Sequence, residues 1–239
     1  MSASTLMLLP GLMCDRAVWA PQTDALTPDV TVAVPAWGLR NTLTAMAEQV
    51  LEEAPSARFA VAGHSMGGRV ALEVVRLAPD RVTHLALLNT GYLPLAPGAA
   101  GEQERAGRLA LLQVAQTQGM RAMARAWARG MVHPRCLDTP LFDAVLDMLE
   151  RSSPQQMAAQ QHALLTRPDA TPVLATVKVP TLVLTGADDA WSGPAQHRAI
   201  QQAIPGSTLT IVPGAAHMST WEQPEVVTQA MRAWLGLTG

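Results

Sequence analysis

One short run in the sequence has the makings of a nucleophilic site: Gly63-His64-Ser65-Met66-Gly67-Gly68. It follows the apolar stretch Phe59-Ala60-Val61-Ala62 and opens the amphipathic stretch from Met66 to Leu77. A serine at a sharp turn from strand to helix sits in a strained backbone conformation with its hydroxyl pushed outward. Side chains two positions before and after it would collide. Glycine at 63 and 67 meets that demand, and Gly68 lets the new helix pack closely. The start of such a helix aims backbone N–H groups and a positive dipole end at the place where an oxyanion would form.

A serine hydroxyl needs a base, and the base needs a group to orient it. The chain supplies both after Ser65, in the order acid then histidine. The apolar run Thr181–Thr185 ends at Gly186-Ala187-Asp188-Asp189, and the run Thr208–Val212 ends at Pro213-Gly214-Ala215-Ala216-His217. Open parallel sheets place their sites in loops at the carboxyl ends of strands. Of the six histidines, His64 is turned away beside the serine and His84 lies within a strand pattern. His133 and His162 fall in a middle helical segment and His197 starts a helix. His217 alone occupies the loop that the chain order requires. Asp188 and Asp189 compete for the role of acid, with the other capping the following turn.

The elements that must position these loops are legible as alternating patterns. Thr5–Leu9, Thr31–Val34, Arg58–Ala62, Val82–Leu88, Thr181–Thr185 and Thr208–Val212 read as strands, most of them apolar throughout, as in a parallel sheet covered on both faces. Helical patterns fall at Ala17–Leu26, Thr42–Glu53, Met66–Leu77, Ala195–Ala203 and Pro224–Leu235. Between Gly91 and Lys178 the patterns are helical only. The expectation is an α/β fold: an open, mostly parallel sheet of about six strands with helices on both faces. Residues 1–90 and 179–239 form its core, and residues 91–178 a helical insertion. Within the insertion, Met120, Met123, Trp127 and Met131 share one face, with Arg121, Arg125 and Arg129 opposite. Ser153-Pro154 reads as a helix start.

A chain of 239 residues with 49% hydrophobic and 15% charged side chains can bury a large core and is not disordered. A net charge of −2 and 4% aromatics exclude a strongly basic polyphosphate surface and a stacking platform for single-stranded nucleic acid. Cys14 and Cys136 make neither a disulfide framework nor a metal-ligand spacing. The first residues lack a basic n-region, and their apolar run is broken at Pro10-Gly11, so they read as a buried strand. No apolar stretch is long enough to span a membrane. The expected address is cytoplasmic.

The motifs LLPGLMCDRAVW, GHSMGG, LVLTGADD and GAAHMSTWEQPE together resemble the α/β-hydrolase family, of the kind with a helical cap, over essentially the whole chain. The resemblance implies a catalytic Ser65, His217 and, by its spacing from Gly186, Asp189 over Asp188. It also implies an oxyanion hole built from the backbone N–H groups of Leu12 and Met66. Pro10 stands where relatives usually have His, and the loop after the second strand, Pro35-Ala36-Trp37-Gly38-Leu39, departs from the Asp- and Gly-containing pattern common among them.

The expected function is hydrolysis of carboxylic esters or lactones with a small to medium apolar acyl group through an acyl-enzyme, needing no metal or organic cofactor. The resemblance extends to carbon–carbon bond and enol-lactone hydrolases of aromatic degradation and to cofactor-free perhydrolases. An esterase acting on carrier-bound acyl chains is a further alternative. For it, an acidic carrier protein would dock on Arg121, Arg125 and Arg129, helped by Arg105 and Arg108. Met13, Met66 and Met218 flank the site residues in sequence and suit an adaptable apolar pocket, which Trp191 and Trp221 would wall.

Overall fold

The computed structural model describes residues 5–237. Six strands form one parallel sheet in the order β2-β1-β3-β4-β5-β6. They are β1 (Thr5–Leu9), β2 (Thr31–Ala33), β3 (Phe59–His64), β4 (Val82–Leu88), β5 (Thr181–Gly186) and β6 (Thr208–Val212). Every residue of β1, β3 and β5 is buried, which accounts for their unbroken apolar character. The edge strands β2 and β6 are partly exposed and correspondingly mix threonine with apolar residues. Against the sequence patterns, β3 starts one residue later and runs on to His64, and β2 stops at Ala33. Ladder bonding to β4 carries β3 to the edge of the Ser65 turn.

The helices begin largely where the sequence signals them. The expected first helix is split: Arg16–Trp19 is a 3-10 turn and α1 spans Ala20–Leu26. The Asp15 side chain accepts the Ala17 N–H and stops the α-helix from starting earlier. Next come α2 (Leu43–Glu53), capped by Thr42, and α3 (Met66–Leu77). Among the described residues no strand lies between β4 and β5. That segment holds α4 (Ala99–Gln118), α5 (Met120–Ala128), α6 (Pro140–Glu150), α7 (Pro154–Leu165) and α8 (Thr171–Leu174). Ser153 and Gln156 form a capping box around the Pro154 start of α7. The chain ends with α9 (Pro194–Ala203), α10 (Ser219–Glu222) and α11 (Pro224–Trp234). Helix α5 stops at Ala128, short of the periodicity that reaches Met131. The Met131 carbonyl instead accepts the Met218 N–H at 3.1 Å. One hydrophobic cluster runs from the sheet into Met123, Val145, Leu149 and Met157 of the inserted helices. Among the described residues no helix is long and apolar enough to cross a membrane.

The chain passes from β1 out to β2 and then returns to the other side of β1 with β3. That reversal sets the loops after β1 and β3 side by side at the carboxyl edge. Ser65 bridges β3 and α3 with φ 56° and ψ −117°. A Cβ on Gly67 would lie 2.1 Å from the Leu9 carbonyl oxygen, and one on Gly63 2.2 Å from that of Gly67. A Cβ on Gly68 would meet Thr90 at 2.6 Å. All three contacts are below what atoms tolerate, so the turn, β1 and the end of β4 can close up only on glycine.

Gly67→Ala is therefore expected to cost about 2–3 kcal/mol, the range for forcing atoms into a packed site, or to prevent folding. Gly107 lies within α4 with nothing within 4 Å of its Cβ position. Gly107→Ala should add about 0.5–1 kcal/mol. Urea unfolding midpoints of the two variants should move in opposite directions.

Candidate active site

Three loops meet at the carboxyl edge of the sheet. The Ser65 hydroxyl lies 2.9 Å from Nε2 of His217, and Nδ1 of His217 lies 2.9 Å from Oδ2 of Asp189. Asp189 and His217 are both buried, while Ser65 keeps partial access. The Asp189 carboxyl accepts further hydrogen bonds from the Asn89 side-chain amide at 2.9 Å and from the backbone N–H groups of Trp191 and Ser192 at 2.9 and 3.0 Å. Burial raises its pKa, but the neighbouring imidazole and these donors outweigh burial and hold it below the usual carboxylate range. An ionised Asp189 can only accept, so Nδ1 of His217 carries the proton. Nε2 is left as an acceptor facing the Ser65 hydroxyl. Asp188 is exposed instead, 3.7 Å from Nε2 of His133.

The loop after β1 lies against this turn. A Cβ on Gly11 would sit 3.2 Å from the Ser65 Cβ. The indole of Trp37 donates to the Pro10 carbonyl at 3.0 Å, and the Gln160 side chain accepts the Met13 N–H at 2.8 Å. These two bonds brace the loop at Pro10 and Met13. Leu12 and Met66 both line the cavity beside Ser65, and neither N–H finds a partner among the described residues. Free backbone donors beside the serine are what a developing oxyanion requires.

Several contributors had no site role in the sequence patterns. Asn89 ends β4 with φ 49°, a region that Asn tolerates better than most residues. Besides holding Asp189 it donates to the Ala216 carbonyl at 3.1 Å and accepts from the Ser219 hydroxyl at 2.5 Å. Glu222 is buried and accepts the N–H groups of Ala216, at 2.6 Å, and of His133. Its pKa is raised, because burial outweighs these bonds. His64 is neutral: burial pushes its pKa down to about 3, and its Nε2–H donates to the His217 carbonyl at 2.8 Å. His197 accepts the Thr90 N–H at 3.2 Å, and the Thr90 hydroxyl donates to the Ser65 carbonyl at 2.6 Å.

A cavity of about 610 Å³ opens beside Ser65 and His217 and runs under the inserted helices. Trp191 lines it, stacked on Trp127 of α5 at 5.5 Å and tilted over the His217 ring at 4.9 Å. Leu111 and Leu164 contribute apolar wall. Three expected pocket residues are elsewhere. Met218 is fully buried, Met13 borders a separate cavity of about 300 Å³, and the Trp221 indole donates to the Ala17 carbonyl at 2.7 Å. Met13 and Met218 adjoin site residues in the chain and Trp221 lies four beyond His217, yet none of them lines this cavity. The arginine stripe is also broken up. Arg121 pairs with Asp147 and Glu150 of α6, leaving Arg125 and Arg129 exposed. Arg108 turns into the cavity instead, sharing the carboxylate of Glu104 with Arg167 at 2.9 and 2.8 Å. Burial works to raise the Glu104 pKa, but the hydrogen bond from Arg167 and the charge of Arg108 bring it down to about 2.

Depressed carboxylates set the expected acid behaviour. Glu104 binds protons less readily in the fold than its ordinary 4.5, and Asp189 likewise binds them less readily than its ordinary 3.8. Their contribution to stability is complete above those ordinary values and is lost as pH falls through the lower folded ones. Stability measured by urea unfolding should decline below about pH 4.5, and Glu104→Gln should flatten the decline between pH 4.5 and 2. An unchanged slope would remove Glu104 from that role.

The sequence model of the alpha/beta hydrolase family matches residues 6–230. The fold superposes on a thermophilic esterase from Thermogutta terrifontis with a TM-score of 0.86 at 27% identity, covering 98% of this chain and 90% of that one. It superposes on the enol-lactonase from Burkholderia xenovorans with a TM-score of 0.84 at 25% identity, covering 99% and 92%. A curated relative, the RutD protein of Klebsiella pneumoniae, named for carbamate hydrolysis, is 27% identical over 182 residues. That alignment covers 70% of this chain and 62% of RutD. The chain spans 62–66% of the length of the first such relatives it matches. With its parallel sheet and its serine turn after β3, the chain belongs to the alpha/beta hydrolase family.

Proposed function

We propose that the protein hydrolyses carboxylic esters or lactones through an acyl-enzyme on Ser65. The observation that carries this reading is the unbroken hydrogen-bonded chain from the Ser65 hydroxyl through His217 to an ionised Asp189, opening on the cavity. In the first half-reaction the Ser65 oxygen attacks the carbonyl carbon while its proton passes to Nε2 of His217. The Leu12 and Met66 N–H groups hold the resulting oxyanion. The carbon–oxygen bond to the leaving group then breaks, and the leaving oxygen takes the proton from Nε2. In the second half-reaction a water gives its proton to Nε2 and attacks the acyl carbon. The acid leaves, and Ser65 recovers its proton. Asp189 holds the imidazole by Nδ1 and stabilises its charged form throughout.

The inserted helices act in this reading as a cap: Leu111, Trp127 and Leu164 come from residues 91–178 and bound the cavity. Esterase and enol-lactonase structures at 27% and 25% identity support the bond class. A cytoplasmic address goes with it, because Cys14 and Cys136 are both free thiols.

Ser65→Ala should lower kcat/KM on p-nitrophenyl butyrate at least about 10³-fold, and a fluorophosphonate probe should label wild-type Ser65 covalently. Wild-type turnover by the alanine variant would end the proposal. Asp189→Asn should lower kcat about 10⁴-fold, as expected when an orienting carboxylate becomes an amide and the imidazole takes the wrong tautomer. Asp188→Asn should stay within a few-fold of wild type, and equal losses from the two would contradict the assignment of the acid.

A further inference from the structure

The lining of the cavity carries an excess of positive charge. Arg69, Arg108 and Arg167 all line it, and among the described residues Glu104 is the only carboxylate that does. Arg108 and Arg167 divide that carboxylate between them. Arg167 is further fixed by the Leu164 carbonyl at 2.7 Å, and its side chain is only 8% exposed. Arg69 has no acid at all: among the described residues its one hydrogen bond is from Nη1 to the Leu93 carbonyl, at 2.8 Å. Its other terminal nitrogen sits beside Gly91, where a Cβ would come within 2.5 Å of it. Gly91 thus leaves room for the head of Arg69 at the cavity surface.

A half-buried guanidinium at the cavity surface, with one donor of five engaged by the protein, can offer its remaining donors to an acceptor in the cavity. Burial and the charge of Arg167 both push the Arg69 pKa down, which is the same cost seen from the proton's side. An anion placed there would meet the free fork of Arg69 and offset the net charge of the three arginines over Glu104. Arg69 lies four residues after Ser65, one turn along α3, so roughly 6 Å of helix separates their backbones. One substrate molecule can reach both.

We infer that the cavity carries an anion subsite centred on Arg69, so that the ester or lactone hydrolysed at Ser65 bears a carboxylate on its acyl part. This rests on the hydrolase reading for the bond that is cleaved, but the subsite itself can be observed by binding alone. The planar fork of arginine pairs with two oxygens of one carboxylate, which favours a half-ester of a dicarboxylic acid over its neutral diester. The cleavage is the one already described: water is consumed, the ester bond breaks, and a dicarboxylate and an alcohol leave.

The test uses the Ser65→Ala protein and calorimetric titration with methyl half-esters of straight-chain dicarboxylic acids from succinate to suberate, each beside its dimethyl ester. One half-ester should bind at least tenfold more tightly than its diester, and Arg69→Met in the same background should bring that ratio to near one. Equal affinity for half-ester and diester across the series would overturn the subsite, and that comparison needs no change at Arg69. A ratio that survives Arg69→Met in a folded protein would overturn the assignment to this residue. Inorganic phosphate binding more tightly than every half-ester would overturn the carboxylate in favour of phosphate. Parallel turnover assays on wild type keep the two readings apart. Equal kcat/KM on half-ester and diester removes the subsite and leaves the hydrolase intact. Selective binding of a half-ester with no turnover of any ester removes the hydrolase reading and leaves the subsite.

Discussion

Asp189 must stay ionised in the interior of the protein, and much of the carboxyl edge of the sheet is built around that requirement. Burial alone would push its pKa up and let it take a proton, whereupon it could donate as well as accept and the tautomer of His217 would no longer be fixed. Four donors prevent this: the His217 imidazole, the Asn89 amide, and the N–H groups of Trp191 and Ser192. Donors to a charged group are worth about 1.5–3 kcal/mol each, enough together to outweigh the desolvation of one carboxylate. Two come from the turn that follows Asp189 itself. That explains why the turn bends back immediately after β5 and why Gly193 must lie against the Asp189 carbonyl, 2.6 Å from where its Cβ would be.

The other two donors tie this requirement to neighbouring strands. Asn89 takes its left-handed backbone at the end of β4, with its own N–H on the Leu184 carbonyl of β5, and so reaches across to Asp189. The same amide holds the Ala216 carbonyl, and its oxygen accepts from Ser219 on the far side of His217. His217 is therefore clamped by its flanks as well as its ring. His64 holds its carbonyl, Glu222 holds the N–H of Ala216 before it, and Met131 of the insertion accepts the N–H of Met218 after it. The last bond makes the position of the histidine loop depend on the inserted helices, although they supply none of the three hydrogen-bonded side chains.

What the sequence revealed of this follows from how each feature is encoded. Ser65 was legible because the turn leaves no space for side chains at 63 and 67, and that steric demand appears directly as glycine. His217 was legible because it alone lies in a loop after the last strand, beyond the acid in chain order. Asp188 and Asp189 differ by one residue in the same turn, so only the hydrogen bonds distinguish them. Asn89 carries no comparable signature. An asparagine after an apolar strand is ordinary, and its left-handed φ becomes visible only in the backbone. The pocket went astray for a geometric reason. Met13 and Met218 adjoin site residues in the chain and Trp221 lies four beyond His217, but nearness in sequence does not put a side chain in the cavity. Trp127 lies in the cavity although its helix pattern grouped it with the buried Met120 and Met123.

The charge distribution carries the same lesson further. A formal charge of −2 over the whole chain describes the average surface and nothing of the cavity, where three arginines face one glutamate. The carrier-docking expectation counted Arg108 as support for the arginine stripe, yet it lies one turn from Glu104, and the pair closes on Arg167 after α7. A buried carboxylate thus stands behind His217, while three partly exposed or buried arginines line the cavity that opens beside Ser65. A substrate with its own negative charge would meet attraction at the arginines and repulsion near Asp189. In the anion-subsite reading such a field would orient the substrate as well as hold it, with the anionic end toward the arginines and the reactive carbonyl left at the serine.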